Sequence, residues 1–185
     1  EKTLENILSG YPDRKCSISL LHGDLSESQM KFLYEHEKIK SMVNISHGEG
    51  FGLPLFEAAR SNLPIITVGW SGQMDFLNYD GKDYFLRVKH ELKPVQKEAI
   101  WEGVIEADSQ WAYADQGSFK MALRMMYKKY DSFSKQSKQL QSKIKEKFSD
   151  EVLYEIFCSH FHSKEDELDL DQWLENVESE MVESE

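Results

Sequence analysis

The chain has 185 residues, 40% hydrophobic and 30% charged, with a formal net charge of -11 at pH 7 and a pI of about 5.1. That length suits one unit with a real core, while the acidic excess meets a nucleic acid or an anionic bilayer with repulsion and argues against both as partners. A small anionic ligand stays open, because backbone dipoles outweigh a global field at short range.

Only Cys16 and Cys158 are present, far apart, as expected of reduced thiols in a cytoplasmic protein. No apolar run reaches bilayer length, and Glu1-Lys2-Thr3 does not open a signal peptide, so neither a transmembrane segment nor a leader is expected.

In chain order, CSISLLH (16–22) reads as a first short buried strand. SESQMKFLYEHEKIK comes next as an amphipathic helix, with Ser26 as N-cap and Met30, Leu33 and Tyr34 at helical spacing. MVNIS (42–46) is a second strand, 54–61 a helix with Pro54 in its first turn, and PIITV (64–68) a third strand. Asn62 stands where that helix must stop, and asparagine tolerates the left-handed conformation common there. Alternating strands and helices predict an α/β fold with a parallel sheet.

Residues 90–116 carry Pro94, Trp101, Trp111 and Tyr113 without a sustained period, and are expected to form a long connection with a short helix. In GSFKMALRMMYKKY, Phe119, Ala122, Met126 and Tyr130 trace one helical face, more a core stripe than a ligand box. Ser149 with Asp150 and Glu151 opens a further helix through Val152, Ile156 and Phe157. Cys158, His160 and His162 share no helical face and lack further partners, so no metal site is expected. The chain divides into a domain at 1–162 and an acidic tail at 163–185. Leu170, Leu174, Val177 and Met181, with Trp173 alongside, allow that tail to be part amphipathic helix rather than a disordered acidic run.

HGEGFGLPLFEAARSNLPII (47–66) concentrates the chemistry. Gly48, Gly50 and Gly52 let backbone amides approach an anion, and the helix after them adds its positive dipole end, so a phosphate or diphosphate is the natural guest. The dinucleotide register G-x-G-x-x-G is absent, and a protein-kinase reading lacks its Val-Ala-x-Lys strand and His-Arg-Asp loop. Glu49 in the loop and Glu57 in the helix make chemical sense beside a phosphate if hydroxyls are read as well, which points to a nucleotide sugar. The competing reading leaves both as solvated charges, Glu57 merely favourable near a helix start. A glycosidase would need the two carboxylates to flank one bond across an open cleft, which a phosphate-type loop does not supply. Trp70, Trp101 and Trp111 read as core or interface residues rather than sugar platforms.

EGFGLPLFEAARSNLPIIT resembles the Glu, seven residues, Glu signature of retaining glycosyltransferases of the GT-B fold, above all glycosyltransferase family 4. LLHGDLSESQMKFLYEHEKIKSMVNISHGEGFG resembles the family's lead into that motif, and GWSGQMDFLNYDGKDYFL and WAYADQGSFKMALRMMY resemble its later segments, so the likeness spans about residues 16–160. It implies a Rossmann-like three-layer domain, the C-terminal, donor-binding half of a GT-B enzyme, incomplete at its N-terminal edge. Glu49 would correspond to the catalytic-site glutamate near the sugar hydroxyls, Gly50, Phe51, Gly52 and Leu53 to the sugar and diphosphate site, and Glu57 to the ribose ligand. His22 and Gly23 would lie near the base.

The resemblance also implies a sugar, of hexosyl type, transferred from a nucleotide-diphosphate donor without a metal or further cofactor, to an acceptor held by an N-terminal domain in the same or another chain. The family's Gly-Arg strand, its downstream lysine and its acceptor domain have no counterpart here, Asn62 replaces a glycine, and the chain alone is not expected to turn over. Two alternatives stay open: a nucleotide-sugar epimerase or another GT-B enzyme, and a non-catalytic nucleotide-binding or interaction module.

Overall fold

A computed structural model describes residues 2–161. The helices are α1 (Lys2–Ser9), α2 (Glu27–Glu35), α3 (Leu53–Arg60), α4 (Met74–Leu77), α5 (Gln116–Lys128), α6 (Tyr130–Lys147) and α7 (Asp150–Ser159). The strands are β1 (Met42–Asn44), β2 (Ile65–Val68), β3 (Asn78–Tyr79), β4 (Lys82–Asp83), β5 (Leu86–Val88), β6 (His90–Pro94) and β7 (Gln110–Ala114).

The fold is mixed α/β around a small parallel sheet of order β1-β2-β5, with Met42 opposite Ile65 and Ile66 opposite Leu86. Every residue of β2 is buried, as a strand covered on both faces must be. Ile65 packs with Leu55 and Ala59 of α3 and with Leu140 and Ile144 of α6. Ile66 and Val68, pointing the opposite way, pack with Ala122 and Met126 of α5. Tyr34 of α2 closes a smaller cluster with Ala58 and Leu63 beside α3. The sheet thereby fixes the loops at its carboxyl ends between two helical layers.

Local chemistry explains the boundaries. Ser26 Oγ accepts from the Gln29 amide while Gln29 Oε1 accepts from the Ser26 amide, a reciprocal cap that starts α2. Asn62 takes the left-handed conformation expected of it, with φ of 61°, and Ser137 Oγ of α6 lies 3.0 Å from its Oδ1. Ser149 caps α7 by accepting from the Val152 amide.

Three expectations are corrected. Residues 16–22 form no strand: Ile18, Leu20 and Leu21 are exposed, and no other described strand pairs with the segment, so its apolar alternation has no ladder to join. Residues 90–116 are not a mere connection, because β6 and β7 pair antiparallel from His90 opposite Ala114 to Pro94 opposite Gln110, with a 3-10 turn at Lys97–Ala99 between them. The helical run after Gly117 breaks at Lys129, which ends α5 and precedes the separate α6, unforeseen because its apolar stripe of Leu140 and Ile144 is thin among lysines and glutamines. His162 and the tail at 163–185 lie outside the described residues. No helix among the described residues is long and apolar enough to cross a membrane.

Leu140 is 1% exposed and Tyr127 88% exposed. Chemical denaturation is therefore expected to show Leu140→Ala losing about 2–5 kcal/mol of stability, against a change within about 0.5 kcal/mol for Tyr127→Ala.

Candidate functional site

β1 and β2 run parallel, so the loops after them emerge at the same edge of the sheet. The first loop carries Glu49 and the glycines; the second runs from Gly69 to Gln73. They are locked together. The Gly72 amide donates to the Glu49 carbonyl at 3.0 Å, and Ser71 Oγ donates to that same carbonyl at 2.7 Å while accepting from the Glu49 amide at 3.2 Å. A Cβ on Gly72 would overlap the Gly50 carbonyl oxygen, so only glycine permits this approach.

The Glu49 side chain is held as firmly as its backbone. Its Oε1 accepts from Asn44 Nδ2 and from Ser46 Oγ, each at 2.8 Å, and Asn44 Oδ1 accepts from the Ser46 amide at 2.8 Å. Oε2 has no partner among the described residues. A half-buried carboxylate is thus oriented through one oxygen, with the other available to accept from a ligand.

Beside it, Gly52 takes φ of 88° as the N-cap of α3, with Pro54 in the first turn. Among the described residues the amides of Gly50, Phe51, Gly52 and Leu53 meet no acceptor, leaving donors at the positive end of a helix. The Phe51 side chain turns away into an aromatic cluster, 5.0 Å from Phe76 and 5.1 Å from Phe56 between ring centres, and so anchors the loop to the core. Beneath Gly52 lies Gln73, which is fully buried; its Nε2 donates to the Val68 carbonyl, whereas its Oε1 and the nearby Thr67 Oγ1 lack partners among the described residues.

Glu57 lies one turn further along α3, facing Tyr34 of α2. Burial first, and then the Glu57 carboxylate, pushes the Tyr34 phenol above its ordinary pKa. Glu49 and Glu57 therefore serve different surroundings, the loop junction and the α2–α3 interface. His22 and Gly23 lie exposed in the irregular segment before α2 and make no hydrogen bond to the glycine loop.

The β6–β7 ribbon forms a further wall. Trp111 stacks on His47 with ring centres 5.0 Å apart and planes inclined by 10°, while Tyr113 lies 4.5 Å away at a tilt. Trp111 is accordingly an interface residue, as its type suggested, whereas Trp101 at the far end of the ribbon is exposed. Asn44, Ser46, Ser71, Gln73 and His47 were not singled out by motif. The alternate polar positions of Met-Val-Asn-Ile-Ser carried the available signal for the first two.

Arg87 of β5 braces the second loop from outside, with Nη1 donating to the Gly69 carbonyl and a paired contact to Asp83. The hydrogen bond from Arg87 holds the Asp83 carboxyl below its usual pKa. Among the described residues no group of three His, Cys, Asp or Glu side chains is placed to hold a metal ion. No family model, no curated protein and no solved structure matches this chain.

Gly72→Ala is expected to lower stability by about 2 kcal/mol or more through the displaced loop junction, while Gly50→Ala, with no atom within 4 Å of the new Cβ, leaves the melting temperature near wild type. A group whose folded pKa is depressed stabilises above its unfolded pKa and loses that contribution as pH falls through the folded value. Asp83→Asn should accordingly lower the melting temperature at pH 7 and have little effect once acid protonates Asp83 in the wild-type chain.

Proposed function

We propose that this chain is the donor-binding half of a retaining glycosyltransferase of GT-B type, binding a nucleotide-diphosphate sugar and working with an acceptor-binding domain in the same or another chain. The observation that carries the reading is the placement of an oriented carboxylate, Glu49 with Oε2 unpaired among the described residues, in the same short loop as the amides of Gly50 to Leu53, likewise unpaired there, at the start of α3. Phosphate-binding donors and a hydroxyl acceptor within a few residues match the diphosphate of a nucleotide sugar and the sugar attached to it.

In this reading the diphosphate lies against the amides and Glu49 accepts from a hydroxyl of the transferred sugar. The bond between the sugar's anomeric carbon and the diphosphate oxygen breaks, its electron pair leaves on that oxygen, and the fixed amides and helix dipole stabilise the charge that develops. The acceptor hydroxyl attacks from the face the nucleotide leaves and passes its proton to the departing diphosphate oxygen, so the configuration is retained and Glu49 forms no covalent bond. Glu57 accepts from the ribose diol, beside the Tyr34 phenol whose pKa burial and this carboxylate raise. The parallel sheet with helices on both faces supports the architecture, and the free, exposed Cys16 and Cys158 suit a cytoplasmic setting.

One observation favours a second element, a protein partner. On α7, Leu153, Tyr154, Ile156 and Phe157 are all exposed, together with the nearby Phe161, an apolar face that the other described residues leave uncovered. It fits a docking face for the acceptor half and equally a non-catalytic interaction module.

Chemical-shift titration with UDP, GDP and ADP, each alone and as its glucose or mannose conjugate, separates these readings. A donor domain should give saturable shifts at the Gly50 to Leu53 amides with one base, abolished by Glu57→Ala. Glu49→Gln should weaken the sugar conjugate about tenfold, the loss of one charge-assisted hydrogen bond. No saturable shift with any nucleotide would overturn the donor reading and leave the interaction module.

A further inference from the structure

We propose that His47 is a second hydroxyl-reading residue of the site, its ring fixed by the β6–β7 ribbon so that Nε2 accepts a hydrogen bond from the transferred sugar. The inference rests on the donor-domain reading above and extends it to a residue that reading does not use.

Two hydrogen bonds join His47 to one residue of the ribbon, 65 positions away: the Ala112 amide donates to the His47 carbonyl at 3.0 Å, and His47 Nδ1 lies 2.8 Å from the Ala112 carbonyl. A carbonyl oxygen can only accept, so Nδ1 carries the proton. In the neutral ring Nε2 is then a bare lone pair. Trp111 stacked on one side and Tyr113 tilted against the ring prevent it from turning to exchange its nitrogens. Nε2 has no partner among the described residues, and the residue is only half buried, so the acceptor remains open to a ligand.

Position gives the ligand's chemistry. His47 precedes Glu49 by two residues in the loop that holds the unpaired amides. A neutral nitrogen acceptor contributes nothing to binding an anionic diphosphate, but it complements a hydroxyl donor, as Glu49 Oε2 does. Two acceptors of different charge in one loop suit the several hydroxyls of a sugar ring. An anchoring role alone would be served by any side chain that donates to the Ala112 carbonyl, and this distinction supplies the test.

Asparagine can place an amide N–H near the Nδ1 position and so keep the bond to Ala112, but it has no counterpart of Nε2; glutamine reaches the Nε2 position. The experiment uses the whole chain with UDP and UDP-glucose, GDP and GDP-mannose, and ADP and ADP-glucose, measured by calorimetry on wild type, His47→Asn and His47→Gln. The His47 tautomer is read from the ring nitrogen shifts of the free protein, and retention of the anchor from the Ala112 carbonyl carbon shift.

The expected result is a free protein with Nδ1 protonated and Nε2 bare. In His47→Asn the preference for the sugar conjugate over the bare nucleotide should fall about tenfold, with nucleotide affinity unchanged, the Ala112 carbonyl carbon shift close to wild type and partial rescue in His47→Gln. A proton on Nε2 in the neutral free protein overturns the proposal, as does a His47→Asn variant that keeps the full preference for the sugar. Should no nucleotide bind the wild type, the donor reading fails and this inference with it, an outcome distinct from nucleotide binding that ignores position 47.

Discussion

The loop junction at the carboxyl end of the sheet is the constraint on which the site depends. One carbonyl, that of Glu49, receives both the Gly72 amide and the Ser71 hydroxyl, and the hydroxyl also takes the Glu49 amide in return. Three hydrogen bonds at one residue's backbone convert two mobile connections into a single rigid body. Because Gly72 tolerates no side chain there, the junction is specified sterically as well as by polar contacts. The orientation of the Glu49 side chain by Asn44 and Ser46 is useful only because the backbone beneath it is already fixed.

Rigidity has a local cost. Gln73 Oε1 and Thr67 Oγ1 are buried without protein partners among the described residues, and a buried polar atom that stays unpaired costs about 1–3 kcal/mol. The core around β2 offsets it, since Ile65, Ile66 and Val68 are packed by α3 and α6 on one face and α5 on the other. Stability invested in the centre of the sheet thus supports the polar loop junction at its rim.

Much of this was legible in the sequence, and for identifiable reasons. β2 is a run of β-branched residues bounded by Pro64 and Gly69, a pattern few other structures satisfy, and α2 carries its own start signal in Ser26 and Gln29. Asn62 announced its left-handed turn by residue type. The segment at 16–22 misled because apolar alternation records a capacity to pair and cannot supply the neighbouring strand. The β6–β7 ribbon was hidden because its two strands lie 15 residues apart, with Pro94 in one of them and a 3-10 turn between. Of the site, the glycines and Glu49 stand together in sequence and were found together; Ser71, Gln73 and Trp111 reach it only through the fold, and no local pattern marks such residues.

The long helix α6 carries an implication for how the chain is made. It covers α3 through Leu140 and Ile144, and its Gln141 and Ser137 donate to the carbonyl groups of Arg60 and Asn62, 81 and 75 residues earlier in the sequence. During synthesis from the N-terminus, α3 and the glycine loop emerge long before the helix that covers them. The apolar face of α3 waits uncovered while some 80 residues are added, several seconds at ordinary elongation rates. In the half-built chain Leu55 and Phe56 therefore lack the cover of α6, and assembly of the site is deferred until the residues of α6 have been added.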